Sequence, residues 1–211
     1  MRRSAIGLIR TILENNKEFK IRDLINYSCL LYNEQNFKFD SKKVQNDLAE
    51  FLTDRLKNFM KEKGIRKDIY ESAISSYSID NLLNVYKKAY AFNKLISKEI
   101  GKDVIFIYKR ASNILSNELK NNEFEISGLA DTGLFKNEFE KNLYKKIQNI
   151  RKDLTNIAKE NDFTNILKTL SSAKKEVNEF FDNVIVNDEE KSIKKNRLEL
   201  LQMLCKTFDN Y

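Results

Sequence analysis

Apolar residues recur at three- and four-residue spacing along nearly the whole chain, and no stretch alternates with the two-residue period of a strand. This period predicts a first helix over about 2–15, with Ile6, Ile9 and Leu13 on one side. It predicts a second over about 20–35, carrying Ile21, Leu24, Ile25, Cys29 and Tyr32, and a third over about 41–63, carrying Val44, Leu48, Phe51, Leu52 and Phe59. The third should end at Gly64, since a glycine behind Lys61-Glu62-Lys63 is the order expected of a C-terminal cap. A short helix near 67–76 follows, then one over 79–99 with Ile79, Leu82, Leu83, Tyr86 and Tyr90, closing at Gly101, and one over 103–119. Residues 120–133 hold no sustained period and two of the five glycines, which reads as a loop. Three longer helices are expected beyond it. One over 134–160 carries Phe135, Phe139, Leu143, Ile147, Ile150, Leu154 and Ile157, and one over 163–185 carries Phe163, Ile166, Leu167, Leu170, Val177 and Phe181. The last runs from Asp188 to the end, opening on Asn187 with Glu190 three residues later in the order of a capping box.

Composition strengthens this reading. The chain of 211 residues has no proline and five glycines, where average usage would give about ten and roughly fifteen. Helices can run unbroken without proline, and sandwiches or barrels need more turn residues. The expected fold is all-α, a helical bundle of about nine helices. Hydrophobic residues make up 41% and charged residues 33%, which suits a folded globular chain rather than a disordered one. The longest apolar run, Val104 to Tyr108, falls far short of the ~20 residues a membrane span needs. No signal-peptide pattern follows Arg2 and Arg3. Cys29 and Cys205 each sit among apolar neighbours and read as buried thiols rather than a disulfide or half a metal site. A cytoplasmic protein without membrane contact is expected.

Charge adds a candidate partner. The formal net charge is +7, and residues 1–120 carry 23 basic against 15 acidic groups, whereas 121–211 carry 15 against 16. A basic excess confined to one part of a chain suits a polyanion, because Lys and Arg release counterions from phosphates. A lysine-rich composition would decorate any surface in the same way. No histidine is present at all, which removes the usual general base and the commonest metal ligand. No glycine-rich phosphate loop or cysteine cluster stands in their place, and no catalytic centre is expected in this chain.

Several stretches, taken in order, resemble the β subunit of bacterial glycyl-tRNA synthetase. Arg2-Arg3-Ser4-Ala5-Ile6-Gly7-Leu8-Ile9-Arg10 is similar to the last part of that family's HD-like domain. Phe51-Leu52-Thr53-Asp54-Arg55-Leu56 and Lys109-Arg110-Ala111-Ser112-Asn113-Ile114-Leu115 are similar to the region that follows. Phe180-Phe181-Asp182-Asn183-Val184-Ile185-Val186 together with Asn196-Arg197-Leu198-Glu199-Leu200-Leu201 resembles its end segment, shared more loosely with the helical DALR anticodon-binding domains. The likeness runs from Arg2 to Tyr211. It implies 1–16 as the end of an HD-like domain, 17–120 as a basic helical half, 121–133 as a loop and 134–211 as a DALR-like half of three helices. It also implies a tRNA(Gly)-binding role. ATP and Mg²⁺ would be used by a separate α subunit, met through a full β subunit in a heterotetramer, with no cofactor in this chain. The N-terminal body of the family and its C-terminal tail are not matched, so the chain reads as a piece of something longer that would not aminoacylate alone.

A helical wheel nominates the RNA-facing side chains. On helix 103–119, Val104, Tyr108, Ala111, Leu115 and Leu119 share one face, taken as the core face. Phe106, Arg110, Asn113 and Asn117 fall opposite, with Lys109 beside them. An aromatic ring, a guanidinium and amides in one stripe can stack on unpaired bases and bond their edges. A solvated polar face, or one packed on another helix, would show the same pattern. Arg55 lies in line with Val44, Leu48, Phe51 and Phe59, and Arg197 with Ile193, Leu200 and Leu204. An arginine on an apolar stripe needs a carboxylate or carbonyls, or else borders a cleft. For Arg197 an ion pair is expected, with Asp182 or a helix C-terminus; for Arg55 structure and RNA contact stay equally open. Lys61, Lys63, Arg66 and Lys67 form a basic knot around Gly64 that could steer phosphate or simply be solvated. The rival to an RNA-binding module is a helical scaffold that binds protein, in which the stripe and the charge are incidental.

Overall fold

The computed structural model describes residues 1–76, 79–120 and 125–210. Of the expected loop 120–133, residues 121–124 lie outside the described residues, as does Tyr211 at the end of the expected last helix. The described residues form ten α-helices and three short 3-10 turns, with no strand among them. The helices are α1 Arg2–Glu14, α2 Ile21–Glu34, α3 Ser41–Glu62, α4 Lys67–Ser76, α5 Leu82–Leu95, α6 Glu99–Leu119, α7 Glu138–Ile157, α8 Phe163–Ser171, α9 Lys174–Asn183 and α10 Lys191–Asp209. They fall into two compact units, Met1–Lys94 and Leu95–Tyr211. The division lies ahead of α6, not at the loop after it. The reason is packing: α6 lies against α8, α9 and α10 and supplies their core with Val104, Ile107, Ala111 and Leu115.

In the first unit α3 is the common support, touching α1, α2 and α4. Asp40 caps it by accepting from the Lys43 N–H at 3.0 Å. Gly64, at φ +74°, turns the chain out of it as expected. Asn16 and Asn36 make the same left-handed turn behind α1 and α2, with φ of 51° and 62°. Asparagine tolerates that conformation. Ile21, Ile25 and Cys29 of α2 are buried, but Leu24 and Tyr32, expected on the same face, are 38% and 55% exposed. In α5 the expected close at Gly101 is corrected: the helix stops at Leu95, and Gly101 sits in the first turn of α6. A Cβ on Gly101 would meet the Leu95 and Ile96 backbone, so glycine there leaves room for the chain just ahead of α6.

In the second unit α10 is buried on most of its circumference, from Ile193 to Phe208, as a central helix must be. The expected helix 163–185 is two helices, α8 and α9, broken at Ser172 and Ala173. The expected helix 134–160 begins later, at Glu138, where Asn137 and Glu140 form a capping box. The capping box expected of Asn187 and Glu190 does not form. Glu190 holds the N-cap position of α10, but its carboxylate accepts from the Ser192 hydroxyl and not from a backbone N–H of the first turn, while the Asp188 carboxylate takes the Glu190 N–H at 3.0 Å.

Three polar positions near the start of α10 bind the surrounding loops. Asn196 exchanges two hydrogen bonds with the Asp131 backbone, at 2.7 and 2.9 Å. Arg197 donates to Glu140 and to Asp188 at 2.6 Å each and to the Ile185 carbonyl at 2.8 Å. The ion pair expected of Arg197 is thus present, but with Glu140 in the first turn of α7 and Asp188 ahead of α10, and Asp182 is not its partner. Glu199 accepts from three successive backbone N–H groups, those of Ser127, Gly128 and Leu129. Cys29 and Cys205 are free, buried thiols. Burial, and then the charge of Asp209, push the Cys205 thiol up to about 12.

Candidate nucleic-acid interface

The stripe expected on helix 103–119 is present on α6, and it splits in two. Phe106, Lys109, Asn113 and Asn117 are exposed, with Phe106 at 43%. Arg110 leans onto α9. Its guanidinium carbon stands 4.5 Å from the Phe181 ring centre and 5.7 Å from that of Phe106, and its Nη2 lies 3.6 Å from the Asp182 carboxylate. Nη1 reaches the Asn178 side-chain oxygen at 3.4 Å. Arg110 therefore joins two rings into one surface and is itself held by α9. The side of this face toward α10 is also pinned, by Lys194–Glu118 at 2.8 Å, and its beginning by Lys174–Asp103 at 2.7 Å.

Two positions of the expected core face are corrected. Ile107 is fully buried, whereas Tyr108 is half-buried and Leu119 is 37% exposed. The buried stripe is wider than one line of the wheel because α8 and α10 both cover α6. The Tyr108 hydroxyl donates to Asp209 at 2.8 Å, and that bond first, then burial, pushes the phenol up to about 12.

Phe181, Asp182 and Asn178 were not among the site residues expected from sequence. A signal was available in the pair Phe180-Phe181. Adjacent residues of a helix cannot both face one core; Phe180 is fully buried and Phe181 is left at the surface beside Arg110.

The remaining candidates belong to the first unit. Arg55 is half-buried, its guanidinium stacked 5.2 Å from the Phe51 ring centre, with its Nε buried and unbonded. Within the basic knot, Arg66 makes a two-pronged bond to Asp68 at 3.1 and 2.6 Å. That bond holds the Asp68 carboxyl below the usual carboxylate range. Lys67 lies 3.7 Å from Glu71, and Lys63 sits 5.5 Å from the Phe59 ring centre. Lys61 is exposed and, among the described residues, has no carboxylate within ion-pair distance. Asn93 braces the turn between α3 and α4, accepting from the Arg66 N–H and donating to the Gly64 carbonyl at 3.0 and 3.3 Å.

Comparison with known proteins bears on the helices that carry the aromatic–arginine surface. Residues 104–211, from α6 to the end, match the family model described as "DALR anticodon binding domain". The chain belongs to the DALR anticodon-binding domain family. Residues 1–75 match a second model, "Glycyl-tRNA synthetase beta subunit". Curated relatives include the glycine–tRNA ligase beta subunits of Rickettsia africae and Rickettsia conorii, each 36% identical over 210 residues. That of Rickettsia felis is 34% identical over 211 residues. Each alignment covers 99% of this chain, which spans only 29% of the relative's length. The anticodon-binding match begins at Val104, inside α6, so the candidate stripe from Phe106 to Asn117 and its α9 partners lie on one DALR domain. Among the described residues no helix is long and apolar enough to cross a membrane.

Proposed function

We propose that this chain is the anticodon-reading, tRNA(Gly)-binding part of a glycine–tRNA ligase β subunit, and that it contributes to glycyl-tRNA synthesis in translation without an active site of its own. The observation that carries this reading is the match of α6–α10 to an anticodon-binding domain whose α6 presents Phe106, Lys109, Asn113 and Asn117 at the surface beside Phe181. An exposed ring, a half-buried one beside it and exposed amides suit unpaired loop bases, which stack on π-faces and are read at their edges. Arg110 contributes by fixing the two rings rather than as a free arm, since α9 already engages it. Glycine activation with ATP and Mg²⁺ belongs to a separate α subunit in this reading, and the chain meets that subunit through the rest of the β subunit. The setting is the cytoplasm.

A second reading, a protein-binding helical scaffold, is favoured by α2, where Tyr27 and Leu30 are 64% and 60% exposed and Phe37 behind them 57%. Titration of the chain with tRNA of glycine anticodon at several salt concentrations separates the two. The tRNA reading expects binding that weakens steeply with salt, by ~0.7–0.9 logarithmic units per tenfold rise in salt for each phosphate contact. No binding, or binding indifferent to salt, returns the scaffold reading.

A further inference from the structure

We propose that a recess on α3 is a second, sequence-independent anion site that takes one phosphodiester group through Arg55, Asn58 and Lys61. The recess, of about 440 Å³, is lined by Ile6 of α1 and by Arg55, Asn58, Phe59, Lys61 and Glu62 of α3. Arg55, Asn58, Phe59 and Glu62 follow the spacing i, i+3, i+4, i+7, so the helix itself brings them to one face. Phe51, one turn earlier, carries the Arg55 guanidinium on its ring. Stacking on a ring fixes the plane of a guanidinium and leaves its N–H edge for an acceptor.

That edge lacks a partner. Arg55 Nε is buried and donates to nothing among the described residues, and no carboxylate there pairs with the guanidinium. A buried donor on a charged group without an acceptor is costly. An oxyanion supplies acceptors in the geometry that guanidinium prefers. Lys61 adds a second cation and Asn58 an amide donor in the same recess. Glu62 opposes them. The formal charge of the lining is therefore +1, which suits a singly charged phosphodiester better than a doubly charged terminal phosphate. Ile6 and Phe59 give an apolar wall on which sugar carbons can rest. The polymer that carries the diester is, on the preceding reading, the tRNA.

The test uses the whole chain and two probes at constant ionic strength: dimethyl phosphate, a free monoanionic diester, and tRNA. The Arg55 Nε–H resonance, separable from exposed arginines because it is buried, should move saturably with dimethyl phosphate and with tRNA, but not with matched chloride. Arg55→Gln should weaken tRNA about tenfold, the loss of one hydrogen-bonded charged contact. It should do so whatever the anticodon and flatten the salt slope by about one. Glu62→Gln should tighten tRNA binding. A saturable dimethyl phosphate response with no tRNA binding would keep the anion site and refute the tRNA reading. An Nε–H signal unmoved by either probe overturns the site, as does a folded Arg55→Gln chain with unchanged tRNA affinity and slope. In the latter case the anticodon-binding reading stands.

Discussion

Arg197 shows how a single residue holds several segments at once. Its side chain is 7% exposed and its partner Glu140 is 0% exposed. Both Glu140 oxygens are used, one by Arg197 and the other by the Lys136 and Asn137 N–H groups at 2.7 and 3.1 Å. Removing one partner of such a pair leaves an uncompensated buried charge. Arg197→Met should therefore cost about 3–5 kcal/mol in urea unfolding. A loss below ~1 kcal/mol would mean that Glu140 is satisfied without it. Asp188 gives the same cluster an acid limb. The Glu190 N–H first, and Arg197 next, hold its carboxyl below the usual range. A lowered folded pKa contributes stability that is full above the ordinary aspartate value of about 3.9 and lost as pH falls through the lower folded one. That the motif Asn196-Arg197-Leu198-Glu199 would be structural was only half legible. An arginine on an apolar stripe announces a partner, but Glu140 lies 57 positions away and no local spacing reveals it.

At the scale of elements, the 3.6 period places α1, α2, α3 and α4 within a residue or two, because each has one buried stripe and the first three end on a left-handed Asn or Gly. It fails where the period runs on through a break. Residues 163–185 keep apolar spacing across Ser172 and Ala173, yet the chain divides there into α8 and α9. Gly101 misled for a related reason: a glycine needed for close approach looks, in sequence, like one needed for a cap. The difference is measurable. A Cβ at Gly101 meets backbone, the Leu95 oxygen at 2.3 Å and Ile96 Cα at 2.5 Å, so something must shift. Gly101→Ala should lower stability by about 1–3 kcal/mol. Gly7, inside α1 with nothing within 4 Å of a Cβ, is the control; Gly7→Ala should raise stability by ~0.5–1 kcal/mol. Two thermal melts decide it, and a stabilised Gly101→Ala chain would remove the close-approach account.

For the molecule as a whole, fold class and family were legible in the sequence because both rest on features spread along the chain: the missing proline, the continuous helical period and four motifs in order. The candidate site was legible only as one face of one helix. What α9 brings to it, Phe181 beneath the guanidinium and Asp182 beside it, depends on contacts across some seventy residues. Those contacts change what each substitution should do. Arg110→Ala should lower thermal stability as well as tRNA affinity, so Phe106, exposed and off the core, is the cleaner probe. The most direct measurement is a cycle: the wild-type and Phe106→Ala chains, each titrated with tRNA of glycine anticodon and with the same tRNA carrying another anticodon. If α6 reads the anticodon, Phe106→Ala costs about 1–3 kcal/mol on the glycine anticodon through lost stacking, much less on the replaced one, and leaves the melting temperature unchanged. An equal loss on both tRNAs, or none on either, contradicts anticodon recognition by this face.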